Sequence, residues 1–151
     1  MANSSFDPNT FLQTEVEGSN ATSLIPLPDK EWNAQVKKLT PRQVEIQGEP
    51  RVVVDVTWDI LDDEAKSVTK MDHPTARQGI FLDMLPGGSL DMGEGKNVTL
   101  GQLRTAVGMN KKGRFSFSQL VGAMAKVRTK QVVDKEDAEK INVNVVKVTK
   151  A

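Results

Sequence analysis

The chain has no cysteine, no tyrosine and a single histidine among its 151 residues. Without cysteine there is no disulfide framework and no thiolate zinc site. His73 lies between Asp72 and Pro74 in a polar stretch, and with no second imidazole or thiol in the chain it is expected to be a solvated loop residue rather than a metal ligand. Aromatic side chains are scarce, two Trp and five Phe, so few flat surfaces are on offer for stacking. No apolar run approaches the ~18 residues of a membrane-crossing helix. The opening Met1–Pro8 has neither the basic nor the apolar stretch of a signal peptide, so neither a secretory leader nor a membrane partner is expected.

What is present is polarity of charge. Residues 1–95 hold 8 Lys and Arg against 16 Asp and Glu, a net of −8, whereas residues 96–151 hold 12 against 4, a net of +8. The formal net charge of zero therefore conceals a basic region beside an acidic one, a footprint for a polyanion or for an acidic partner surface. Residues 1–28, broken by Pro8, Gly18, Pro26 and Pro28, read as an extended arm with one short turn at Asp7–Gln13. Residues 29–151 read as a single domain.

Within that domain, alternation predicts a strand over Trp32–Leu39, with Trp32, Ala34, Val36 and Lys38 on one face. Thr40-Pro41 is expected to break it before a short strand at Gln43–Gln47. Arg51–Leu61 is the clearest strand: Val52, Val54, Val56, Trp58 and Ile60 fall on one face, opposite Arg51, Val53, Asp55, Thr57 and Asp59. Residues 62–74 read as a charged loop with one helical turn. A strand follows over Thr75–Met84, then a Gly-rich loop at 85–96. Asn97 is placed to cap a helix that Gly108 closes. A second short helix begins at Ser116 or Ser118. Strands over Ala123–Val132 and Lys140–Thr149 end the chain, the last with a bulge at Val145-Val146. The order of three strands, helix and two strands is that of an OB-like five-stranded barrel. The fold class expected is therefore mainly β, with one or two short helices between strands 3 and 4 and an extended N-terminal arm.

The sequence shows no catalytic constellation, and no cofactor or metal is expected. Asp62-Asp63-Glu64 lacks the spaced oxygen ligands and central Gly of a calcium loop. Gly93-Glu-Gly95-Lys96-Asn97 departs from a nucleotide-binding loop, with Leu90 where the first Gly belongs and Asn97 in place of Ser or Thr. A weaker expectation is that the N–H groups at Asn97–Leu100, beside Lys96, hold one phosphate. The stronger candidates are cations near aromatics: Lys126, Arg128 and Lys130 on one strand face, Lys111, Lys112 and Arg114 in a turn beside Phe115, and Arg77 with Phe81 on another face. Cations would track phosphates and Phe81 or Phe115 would stack bases. Trp58 and Phe117 read as core residues.

Leu27-Pro28-Asp29-Lys30-Glu31-Trp32-Asn33-Ala34-Gln35-Val36, the strand Val52–Ile60, Leu100-Gly-Gln-Leu-Arg-Thr-Ala-Val-Gly108, Leu120-Val-Gly122 leading into Ala123–Lys130, and Asn144–Ala151 follow one another in a familiar order. In that order the chain resembles the phage OB-fold single-stranded-DNA-binding proteins of replication and recombination clusters, over roughly residues 6–151. The resemblance implies a non-catalytic, sequence-nonspecific protein that coats single-stranded DNA as a homo-oligomer in the host cytoplasm during infection. The alternative expectation is a phage virion protein, a capsid cement or decoration subunit on a small β-barrel. Its partners would be the major capsid protein and neighbouring copies.

Overall fold

The alternating stretches become the staves of one closed sheet. A computed structural model describes residues 6–151. It contains α1 (Pro8–Phe11), β1 (Glu31–Ile46), β2 (Glu49–Ile60), α2 (Asp63–Thr69), β3 (Thr75–Phe81), α3 (Val98–Ala106), a 3-10 turn (Phe117–Leu120), β4 (Met124–Val133) and β5 (Ile141–Thr149). The strands close in the order β1-β2-β3-β5-β4, with every pairing antiparallel except β3 with β5. The fold is mainly β, an OB-like five-stranded barrel, with α3 and the 3-10 turn between β3 and β4. No helix among the described residues is long and apolar enough to cross a membrane. Residues 1–5 of the expected arm lie outside the described residues.

The inward faces carry the core: Trp32, Ala34 and Val36 from β1, Val54, Val56, Trp58 and Ile60 from β2, Ile80 from β3, and Ala125 and Val127 from β4. Leu100 and Leu103 of α3 and Leu120 of the 3-10 turn plug one end. Both indoles are buried and both satisfy their N–H group, Trp32 on the Thr129 hydroxyl at 3.1 Å and Trp58 on Gln78 Oε1 at 3.1 Å. An unpaired indole N–H in this core would forfeit much of the gain from burying the ring.

Four local features differ from the expectation. β1 does not end at Thr40-Pro41 but runs on to Ile46. It pairs with β4 over Glu31–Gln35, and Val36 still bonds Gly122 and Ala123; beyond Val36 only β2 pairs with it among the described residues, and an open edge is where a strand tolerates proline. A bulge between Val36 and Lys38 shifts the alternation, leaving Lys38 exposed and turning Leu39 to the core. The expected loop after β2 contains the seven-residue α2, which buries Ala65 and Thr69. Asn97 stands at the start of α3 but its side chain does not cap the helix. Instead it clamps the Gly-rich loop, donating to the carbonyls of Asp83 and Asp91 and accepting from Asp83 N–H. The β5 bulge lies where expected: Arg128 faces Lys147 and Thr129 faces Val145, so Val146 is the extra residue.

From Phe6 to Ile25 the arm is exposed, and burial begins at Leu27. Gln131 fixes this root, donating from its side chain to the Leu27 carbonyl at 2.7 Å and from its backbone to Asp29 at 2.7 Å.

Candidate nucleic-acid interface

The register of β1, β2 and β3 sets the outer surface of the barrel in rows. Lys38, Thr57 and Arg77 form one row; Thr40, Asp55 and Gly79 the next; Arg42, Val53 and Phe81 the third; Val44 faces Arg51 in the last. Side chains opposite one another across strands share a face, so Arg42 stands in the row of Phe81, while Lys38 and Arg77 share the same outer face two rows away. Phe81 is 45% exposed, the most open aromatic on the barrel surface. The Arg51 guanidinium lies 6.0 Å from its ring centre. Gly79 keeps the floor low beside the ring, since a Cβ there would already touch Asp55, Val53 and Phe81 at 3.5–3.9 Å.

Two of the cations here, Arg42 and Arg51, are held in place. Arg42 donates to both carboxylate oxygens of Asp55, at 2.5 and 3.4 Å. The hydrogen bond to Asp55 raises the Arg42 pKa above its ordinary value, against the opposing effect of desolvation. Arg51 donates to the Leu82 carbonyl at 3.4 Å and approaches Asp83 at 3.7 Å. The outward Val53 and Asp55 are buried, covered by neighbours on β1 and β3. The result is a firm, shallow platform with one flat ring and a cationic surround.

A second basic surface lies on β4 and β5. Lys126, Arg128 and Lys130 are all exposed on the outer face of β4 and take part in no ion pair among the described residues. Arg128 is flanked by Glu31 of β1 and Lys147 of β5. The register thus sets Arg128 between an opposite charge, Glu31, and a like charge, Lys147. β4 is separated from β3 by β5 in one direction and by β1 and β2 in the other. The structure therefore divides the candidates between two surfaces, with Arg77 and Phe81 on one and Lys126, Arg128 and Lys130 on the other.

The remaining candidates belong to neither. Lys111, Lys112 and Arg114 are exposed on the loop that follows α3. Phe115 beside them is not free to stack: the Arg104 guanidinium covers its ring at 4.1 Å, Phe117 meets it edge-on at 5.9 Å, and it packs on the core. Lys96 lines a groove between α3 and the end of β5, together with Lys147 and Lys150. Of the N–H groups expected to hold a phosphate at the start of α3, that of Asn97 already donates to Asp83 Oδ2 at 2.9 Å.

Lys38, Arg42, Arg51 and Lys147 were not singled out by the sequence. Arg51 and Phe81 lie outward in the alternation of their strands, and that signal was available. Lys38 and Arg42 depend on the β1 bulge and on the strand continuing through Pro41. The chain matches no protein-family model, and no curated protein is similar to it in sequence.

Proposed function

We propose that this protein binds single-stranded DNA without strong sequence preference and acts by binding alone, in the manner of the phage proteins it resembles. The observation that carries the reading is the exposed Phe81 on the outer face of β1–β3, with Arg51 near its ring, Arg42 in its row, and Lys38 and Arg77 two rows along the same face. In OB folds the strand 2–3 face is where oligonucleotides are taken. A base stacks on Phe81 over the low floor at Gly79, and the surrounding guanidinium groups meet the phosphates on either side. The β4–β5 cations supply a further electrostatic track without stacking.

Fluorescence anisotropy with a labelled oligo-dT of about 30 nucleotides across a salt series tests this. Micromolar or tighter binding that weakens steeply with salt is expected. No binding at low salt overturns the reading. A second reading, a virion decoration subunit that grips neighbouring subunits, is favoured by the exposed apolar side chains of the arm. Its test is whether purified virions contain this chain in fixed proportion to the major capsid protein.

A further inference from the structure

The arm and one groove of the barrel are complementary in a way that the DNA-binding reading does not use. Residues 6–26 contain three carboxylates, Asp7, Glu15 and Glu17, and no Lys or Arg. They also expose large apolar side chains to solvent, among them Phe6 at 71%, Leu12 at 78% and Val16 at 70%. So many bare apolar groups on one segment mark an interaction surface.

The groove lies between α3 and the last residues of β5 and encloses about 900 Å³. β5 pairs with β4 as far as Thr149, yet its other edge meets β3 only at Asn144. Beyond Asn144 that edge has no strand partner among the described residues, and it faces the groove. An unpaired edge is a template for one more strand. The lining is apolar at Leu100, Val146 and Val148, and Lys96, Lys147 and Lys150 stand about it with Asp91 as the one carboxylate.

We propose that Leu12–Glu17 of one copy docks as an added strand in this groove of a second copy. Docking straightens Leu12 and Gln13, which form the C-cap and turn after α1, and the period of a strand then places Leu12, Thr14 and Val16 on one face and Gln13, Glu15 and Glu17 on the other. The first face turns inward against Val148 and α3. The second turns outward, on the side where Lys147 projects. Gly18, with φ of 79°, lets the arm change direction between the docked segment and the root at Leu27. Reciprocal exchange of arms closes a dimer.

Two full-length variants test the exchange by sedimentation. One carries Glu15→Lys and Glu17→Lys, the other Lys147→Glu and Lys150→Glu. Each alone is expected to weaken self-association about tenfold or more, because like charges then meet at the contact. Mixed together they should associate with one another, since each arm then meets an opposite groove. If the wild-type chain sediments as a monomer, or if the mixture restores nothing, the proposal fails. A second measurement does not depend on charge. The chain has no cysteine of its own, and a side chain at Gly101 would enter open space in the groove. Val16→Cys in one preparation and Gly101→Cys in another should give an intermolecular disulfide under mild oxidation. Absence of that cross-link, or its exclusive formation within one chain carrying both substitutions, would show that the arm does not reach a second copy.

Discussion

The barrel carries two cationic surfaces, and they are built differently. On β1–β3 two of the arginines lie beside acids, Arg42 on Asp55 and Arg51 near Asp83, and a phenylalanine stands among them. On β4–β5 the cations form no ion pair among the described residues, no aromatic lies in their rows, and Arg128 faces both Glu31 and Lys147. A cation fixed by a carboxylate has lost much of its freedom before any ligand arrives, so it can orient a ligand at small further entropic cost. A cation left free on a strand face attracts polyanions without directing them. The first surface is suited to positioning a nucleotide, the second to raising the local concentration of a charged strand.

The largest separation of the two is expected in affinity. Phe81→Ala should weaken binding to oligo-dT by about 1–3 kcal/mol, roughly 5- to 150-fold, while leaving the salt slope nearly unchanged. Titration at several salt concentrations measures both. If Phe81→Ala binds as the wild type does, the β1–β3 face is not the stacking surface.

Stability should divide them next. Arg42→Ala strips the partner from Asp55, whose side chain is only 10% exposed, and should cost about 1–2 kcal/mol in urea denaturation. The half-exposed guanidinium keeps the figure below that of a fully buried pair. On the other surface, Lys147→Gln should leave stability unchanged or raise it by about 0.2–1 kcal/mol, because its like-charge contact with Arg128 is relieved, whereas Arg128→Gln also removes the charge opposite Glu31 and should leave stability nearly unchanged. Together those two substitutions should lower the salt slope of DNA binding by about 1.4, if each cation meets one phosphate. Equal losses of stability on both surfaces would erase the distinction.

Much of the barrel was legible in the chain, because its elements announce themselves locally. The Val52–Ile60 alternation, the helix between strands 3 and 4, and the slip at Val145-Val146 each need only a few neighbouring residues to be read. What was not legible depends on which strand lies alongside. Pro41 reads as a breaker until β1 is seen to have a single neighbour there. Val53 and Asp55 read as outward and solvated until Arg42 and Phe81 are seen to flank them. Phe115 reads as an available ring because nothing near it in sequence reveals that Arg104 lies over it. The pairing of Arg128 with Lys147 was hidden for the same reason, since only the bulge at Val146 sets that register. Candidate sites suffered more than the fold because they sit on outward faces, where cross-strand partners decide what is free.

The smallest expected effect concerns the hairpin turns that end the two surfaces. The β1–β2 turn, Gln47-Gly48, is held by backbone geometry, with φ of 53° and 80°, and its two residues carry no titratable side chain. The β4–β5 turn is held by Asp134, which accepts from Glu136 N–H at 2.9 Å and from Asn142 Nδ2 at 3.1 Å. The backbone bond from Glu136 and then the Asn142 bond lower the Asp134 pKa below its ordinary 3.8. A carboxylate whose folded pKa is depressed favours the ordered turn at any pH above the unfolded value. That contribution fades as pH falls below 3.8 and through the lower folded pKa. Amide exchange followed on acidification should therefore show Glu136 losing protection in that window, while the Gln47-Gly48 turn keeps its own. Loss at both turns together would mean that the whole barrel opens in acid and that Asp134 has no local role. Asp134→Asn should remove the pH dependence at Glu136 while retaining most of the turn, because the amide oxygen can still accept the backbone hydrogen bond.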